Sequence, residues 1–276
     1  MELDNARSSL DLSQLMRRRN LLKLMAGAGI VTLVGCASSS RTTSNKAGAG
    51  TTTTSPPSGT ISSGTSDPST PIPEETAGPF PGDGSNGPNV LSESGVVRRD
   101  ITSSFGSASG TAEGVPATLE LTLLDTSKDA APLSGAAVYV WHCDREGRYS
   151  LYSDGATDAN YLRGVQVSGV DGVVTFDTIF PACYSGRWPH IHFEVYSSLD
   201  DATSGGDTIV TSQVALPTAA CNTVYATDGY GQSVENLSQI SLESDNVFGD
   251  DSGVRELAAV TGNASAGYVF ALTVPV

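Results

Sequence analysis

The chain has 276 residues, 38% hydrophobic and 16% charged, with 30 Asp and Glu against 15 Lys and Arg for a formal net charge of −15. That apolar fraction fits one or two globular domains and excludes a wholly disordered chain. The negative charge argues against DNA or RNA as partners, because their binding rests on Lys and Arg displacing counterions from phosphate. Three His and four Cys make a short inventory of metal ligands, whereas nine of the aromatic residues are Tyr.

At the N-terminus, Arg18-Arg19-Asn20-Leu21-Leu22-Lys23 precedes an apolar run over residues 24–34. The pattern resembles a twin-arginine export signal, and the run is too short for a membrane-spanning helix, which needs about 20 residues. It leads directly into Leu33-Val34-Gly35-Cys36, a lipobox. The expectation is a signal peptide over 1–35, lipidation of Cys36, and a protein exported and anchored to the outer face of a bacterial cell membrane. Residues 37–70 are rich in Ser, Thr, Gly and Pro and bury too little surface to offset their ordering entropy. They read as a tether that, with Cys36, spans 36–70 and reaches roughly 30–35 Å root-mean-square. Loss of 1–35 removes five basic and three acidic residues, leaving ten against 27, a net −17. An anionic membrane surface would repel such a domain, so attachment falls to the lipid.

The remainder, 71–276, reads as a single all-β domain. Short β-branched and aromatic runs bounded by Gly, Asp and Pro predict strands over 118–125, 136–143, 172–179, 190–196, 209–216 and 267–276. Asp171-Gly172, between 162–170 and 173–176, predicts a two-residue hairpin turn. Residues 237–242 read as a strand or a short helix, and no window shows sustained helical periodicity. A β-sandwich follows, with long irregular loops at 80–97, 144–160 and 224–251, and loops of that length usually carry function.

The chemistry concentrates near Trp188-Pro189-His190-Ile191-His192-Phe193-Glu194-Val195. Strand side chains alternate, so His190 and His192 share one face while Ile191, Phe193 and Val195 fill the other. Two imidazoles about 7 Å apart at Cα can converge on one metal, although His-x-His alone also suits exposed or hydrogen-bonded histidines. Tyr184 and Arg187 lie just upstream on a turn-rich stretch. About forty residues earlier, Val140-Trp141-His142-Cys143-Asp144 ends a strand and Gly147-Arg148-Tyr149-Ser150 follows.

Taken together these residues resemble the intradiol ring-cleavage dioxygenases. The matching elements run in order: Glu75-Thr76-Ala77-Gly78-Pro79-Phe80, the strand ending at Trp141, Gly147-Arg148-Tyr149-Ser150 and Leu162-Arg163-Gly164. They continue with the Asp-x-x-Gly and Phe-x-Thr-Ile-x-Pro pattern from Asp171 to Pro181, Tyr184, the Arg-x-x-His-x-His of Arg187, His190 and His192, and Thr211-Ser212-Gln213. The resemblance implies a non-haem Fe(III) held by Tyr149, Tyr184, His190 and His192, with O2 as co-substrate. Two phenolates with two neutral imidazoles suit a hard trivalent ion better than Zn²⁺. The choice of these two among nine tyrosines rests on the resemblance. It also implies that a catechol displaces Tyr184 while Tyr149 stays, that Arg187 stabilises charge developing on the substrate, and that Gln213 assists at the substrate site. The product would be a cis,cis-muconate, and the enzyme of catechol 1,2- or protocatechuate 3,4-type.

Two other functions compete. One is a non-catalytic module on the same sandwich that captures a phenolic or carbohydrate ligand. The other is a different metalloenzyme using His190 and His192 with acidic partners. His142 lies outside the family ligand positions and reads as structural. Asp200-Asp201, Asp245 and Asp250-Asp251 read as solvated loops rather than Ca²⁺ ligands, and Arg148 and Arg163 as partners of that acidic surface. With Cys36 lipidated, three cysteines remain. Cys183–Cys221 is the preferred disulfide, pinning the turn that carries Tyr184, and Cys143–Cys183 is the alternative. Against the family pattern, Ala182 stands where Gly is common, the helical N-terminal region of cytoplasmic members is missing, so their dimer is not assumed, and 217–276 lie beyond the shared motifs.

Overall fold

The computed structural model describes residues 67–276. The signal peptide, Cys36 and the tether up to residue 66 lie outside the described residues. Among the described residues nine strands form two sheets. In the first, β1 (Pro116–Asp125) pairs in parallel with β9 (Gly267–Pro275) and antiparallel with β5 (Val173–Ile179) and the short β2 (Ala131–Pro132), and β8 (Ala259–Asn263) pairs with β9. The second is antiparallel throughout, in the order β4 (Arg163–Val167), β3 (Ala137–Trp141), β6 (His190–Tyr196), β7 (Thr208–Ala215). The two sheets share one apolar core. Leu119, Leu121 and Leu123 of β1, Phe176 of β5 and Phe270 of β9 meet Val138 and Val140 of β3 and Ile191, Phe193 and Val195 of β6.

The second sheet is buried on its other face as well, where Tyr139, Trp141 and Tyr149 pack with Val90, Leu91 and Val96. β6 therefore has no exposed position, although its side chains still alternate between the two faces. Register then sets the site. Trp141 pairs with His192, and His192 with Gln213, so these three occupy one row across β3, β6 and β7. The Trp141 indole stacks on the His192 ring at 4.9 Å with an interplanar angle of 1°.

The strands match the sequence reading closely, but four expectations change. The Asp171-Gly172 turn does not close a hairpin: β4 and β5 belong to different sheets, so the chain crosses between layers there. Gly172 has φ of +76°, and a Cβ on it would lie 2.4 Å from the Leu123 carbonyl oxygen, a fit that only Gly allows. The expected loop over 224–251 instead contains the end of helix α2 (Thr218–Tyr225) and all of α3 (Gly231–Ser238). These helices, and the six-residue α1 (Leu199–Ser204), are too short to show periodicity in the sequence. Among the described residues Arg163 has no acidic partner; it is wholly buried and bonded to neutral oxygens, whereas Arg148 does pair with Asp144 and Glu146.

The fourth change concerns the thiols. Cys143, Cys183 and Cys221 are all free and buried. Each sulfur faces a different carbonyl, Ala182, Arg187 and Leu216 respectively, and burial raises all three thiol pKa values, that of Cys183 to about 12. The expected Cys183–Cys221 bond is not formed, and α3 holds the turn instead. The Cys183 amide donates to Ser233 Oγ at 3.0 Å, and Asn236 Nδ2 donates to the Cys183 carbonyl at 2.8 Å. Ahead of the first strand, the Ile72 amide donates to the Pro275 carbonyl at 2.8 Å.

Glu256 is fully buried and neither carboxylate oxygen has a partner. Burial, reinforced by Glu75, Asp251 and Asp250, raises its pKa to about 9, so the carboxyl is neutral at pH 7. The unfolded chain ionises near pH 4.3, so this group's contribution to stability is complete below that pH and is lost as pH rises to about 9. Glu256→Gln is expected to raise Tm relative to wild type at pH 8, with the gain shrinking as pH falls towards 4. Thermal unfolding of both proteins across that range checks it.

Candidate metal centre

Four polar side chains converge beside the second sheet. β6 supplies His190 and His192, the turn after β5 supplies Tyr184, and the connection between β3 and β4 supplies Tyr149. Asp144 shapes that connection. Its Oδ1 accepts from the Glu146 and Arg148 amides at 2.9 and 3.0 Å, and its Oδ2 from Arg148 Nε and the Tyr161 hydroxyl at 2.9 and 3.0 Å. Gly147 takes φ of +84°, and a Cβ there would lie 3.2 Å from Tyr184 Cβ. Gly at this position lets the two tyrosine-bearing segments approach.

Arg163 ties the Tyr149 segment to a strap ahead of β1, residues 76–81. Its Nε donates to Ser150 Oγ at 3.0 Å and its Nη2 to the Ser150 and Phe80 carbonyls at 3.0 and 2.9 Å. Nη1 donates to the Pro81 carbonyl at 2.7 Å and to the Tyr139 hydroxyl at 3.2 Å. The strap thereby lies across the site. Phe80 packs 4.9 Å from the Tyr149 ring, and Gly78 lies close enough to His192 that a Cβ would reach its Cε1 at 3.3 Å.

The donor atoms form a tight cluster. The Tyr149 hydroxyl lies 3.5 Å from the Tyr184 hydroxyl, 3.4 Å from His190 Nε2 and 3.3 Å from His192 Nε2. The Tyr184 hydroxyl lies 3.2 Å from His190 Nε2, and the two Nε2 atoms are 3.1 Å apart. Four ligands around one ion at 2.0–2.1 Å would be separated by about 3.3–3.4 Å. His190 Nδ1 donates to the Trp188 carbonyl at 2.5 Å, which leaves the Nε2 lone pair facing the cluster. His192 Nδ1 is buried without a partner.

Burial dominates the protonation states. It raises the Tyr149 pKa well above its ordinary value and that of Tyr184 to about 12, and lowers His190 to about 3 and His192 well below the imidazole range. In the protein alone both imidazoles are neutral and both phenols protonated. Each phenol O–H can then donate to an imidazole Nε2, and a cation replacing those two protons would meet all four donor atoms at once, so the donor set fits a metal ion. Among the described residues no group of three or more His, Cys, Asp and Glu is arranged to hold a metal. The converging set is two His with two Tyr.

Arg187 stands beside this cluster with its side chain 13% exposed. Its Nε donates to Asp245 Oδ2 at 2.9 Å and its Nη2 to Gln213 Oε1 at 2.7 Å. Gln213 Nε2 donates in turn to the Thr76 carbonyl at 2.8 Å, so Gln213 links Arg187 to the strap. Asp245, read from the sequence as a solvated loop residue, is buried and accepts four bonds, from Arg187, the Trp188 amide, and the Val247 and Phe248 amides. Burial raises its pKa, but the Trp188 amide and the Arg187 charge outweigh that and hold it below the usual range. No local motif marks Asp245, which lies 58 residues beyond Arg187 and joins it only through the fold. His142 is structural, as expected, with Nδ1 on the Cys143 carbonyl at 2.8 Å and Nε2 on Thr178 Oγ1 at 2.7 Å.

The dioxygenase family model matches residues 87–199, which contain all four clustered side chains and Arg187. The chain is similar to chlorocatechol 1,2-dioxygenase of Rhodococcus opacus, with 40% identity over 60 residues, 22% of this chain and 23% of that protein. The match thus spans about a quarter of that relative's length. In fold it is similar to an intradiol ring-cleavage dioxygenase from Tetranychus urticae, with a TM-score of 0.58 and 24% identity over 74% of this chain and 93% of that one.

Replacing Arg163 by Met should leave the Phe80, Pro81 and Ser150 carbonyls short of donors in a buried place. A loss of about 3 kcal/mol in unfolding free energy is expected, measurable by urea denaturation.

Proposed function

We propose that this chain, related to the intradiol ring-cleavage dioxygenases by its match over residues 87–199 and by its fold, is an iron(III)-dependent dioxygenase. Its substrates would be catechol-type rings, opened between the two hydroxyl-bearing carbons to cis,cis-muconate-type products, at a site beside the second sheet of a β-sandwich and framed by long loops. The observation that carries this reading is the convergence of two phenol oxygens and two imidazole nitrogens at 3.1–3.5 Å. Iron(III) bound there would supply a Lewis acid that activates the ring for reaction with O2.

The protein groups divide the remaining work. Tyr149 is buried and packed under Phe80, which suits a fixed ligand. Tyr184 is half-buried on a turn whose Gly186 has nothing near its would-be Cβ, which suits a ligand that gives way and takes a proton as the diol binds. Trp141 orients His192 by stacking, and the Trp188 carbonyl orients His190. Arg187 is held by Asp245 and Gln213 on two of its nitrogens, so its charge is already in position when negative charge gathers on the substrate. Phe80 and Tyr152, with rings 5.2 Å apart, present aromatic surface beside the cluster.

We place this activity outside the cytoplasmic membrane. The paired arginines and lipobox support export, and Cys36 would anchor the mature chain. Metabolic labelling with a fatty acid should tag wild type and not Cys36→Ala, which should be released from membranes; an unlabelled wild-type chain would contradict the anchor.

With the iron-loaded protein, catechol should drive oxygen uptake, and both atoms of labelled O2 should enter a muconate. Tyr149→Phe and His192→Ala should lose most of the bound iron. Arg187→Ala should retain iron but lose at least about 100-fold in kcat; unchanged turnover would remove Arg187 from the chemistry.

A further inference from the structure

Beyond residue 216, α2 and α3 border a half-open cavity of about 530 Å³ whose inner end reaches Trp188. One face of α2 lines it through Thr218, Asn222, Tyr225 and the capping Ala226, spaced i, i+4, i+7 and i+8. One face of α3 lines it through Val234, Leu237 and Ser238, spaced i, i+3 and i+4. Val234 is 54% exposed there, a large apolar side chain left uncovered.

Two features define what the cavity accepts. Trp188 and Tyr225, both buried, form its aromatic floor and offer it carbon. Trp188 Nε1 donates inward to the Leu216 carbonyl at 2.9 Å, and the Tyr225 hydroxyl donates to the Pro181 carbonyl at 3.1 Å, so the polar atoms of both side chains are already engaged. The polar part of the lining is uncharged, and the Thr218 hydroxyl and Asn222 amide, one turn apart, make no hydrogen bond with a described residue. In a chain of net charge −15 this absence of charge is distinctive. The other cavities described for residues 67–276 include Asp100 and Asp177, Glu113 and Arg145, or Arg148 and Asp158 in their walls.

A pocket of this volume, largely apolar with a few convergent hydrogen-bonding groups, is of the kind that holds a small organic molecule. We propose that it is a second ligand site, which takes a neutral phenol or phenol ether of one or two rings. The ring would lie against Trp188, Tyr225 and Val234, and an oxygen would meet Asn222 or Thr218. A carboxylate-bearing aromatic would be excluded, because no cation lines the cavity to offset its desolvation. The site stands on the cavity alone and does not depend on iron at the four-ligand cluster.

The chain has two tryptophans, so in the full chain carrying Trp141→Phe the only indole emission comes from Trp188. The probe is guaiacol, whose methylated oxygen prevents it from chelating a metal as a catechol dianion. Titration should give a saturable change in emission, with benzoate at least about tenfold weaker. Ala226→Phe, which fills the cavity from an exposed position, and Val234→Asp, which places a carboxylate in its wall, should each weaken guaiacol by about tenfold or more. Circular dichroism would establish that both variants are folded. No saturable response up to about 10 mM, benzoate binding as well as guaiacol, or unchanged affinity in both folded variants would overturn the proposal. So would concentration-dependent dimerisation abolished by Val234→Asp, which would assign the groove to a second copy of the chain.

Discussion

Two imidazole nitrogens 3.1 Å apart, each within 3.4 Å of a phenol oxygen, form an arrangement that a buried site does not keep without cause. Lone pairs facing one another in a low-dielectric setting repel unless protons or a cation lie between them. The protein sustains the arrangement through β6, which is packed on both faces and paired on both edges, so neither histidine can turn away. The stacked Trp141 ring and the Trp188 carbonyl then fix the imidazole orientations.

The rest of the molecule is organised around that strand. The strap ahead of β1, the Tyr149 segment and the sheet are tied together by one guanidinium, that of Arg163, surrounded by neutral oxygens and, among the described residues, by no carboxylate. A second guanidinium, that of Arg187, links the site to the C-terminal part of the chain through Asp245, and to the strap through Gln213 and Thr76. Phe248, three residues beyond Asp245, packs 6.4 Å from the His190 ring and 5.8 Å from the Arg187 guanidinium. Residues beyond 216, which carry none of the shared motifs, therefore help to hold the Arg187 charge in place.

Part of the candidate site was legible in the sequence because it is local. His190 and His192 alternate on one strand and Arg187 lies on the turn before it, whereas Tyr149 and Tyr184 were picked from nine tyrosines by the resemblance and not by spacing. The central strands were legible for the same reason, as dense β-branched and aromatic runs. What escaped depends on separation or on brevity. Asp245 meets Arg187 only after the chain has passed through β7, α2 and α3, and in the sequence it resembles any loop aspartate. The helices run for six to eight residues, too few for a period to emerge. β8 contains Gly262 and Asn263, which weaken a strand signal. The Asp171-Gly172 turn carries a hairpin signature but feeds two sheets, a choice made by layer packing. An odd cysteine count suggested a disulfide where α3 already supplies the bonds that hold the Tyr184 turn.

Iron at the two-Tyr, two-His cluster is tested by the visible absorption spectrum of the purified, iron-loaded protein, recorded before and after catechol is added without O2. Phenolate oxygens bound to Fe(III) give a charge-transfer band, so the protein should be reddish, with a band that shifts as the diol binds. A colourless protein that takes up no iron after correct loading, with the fold intact, would contradict it.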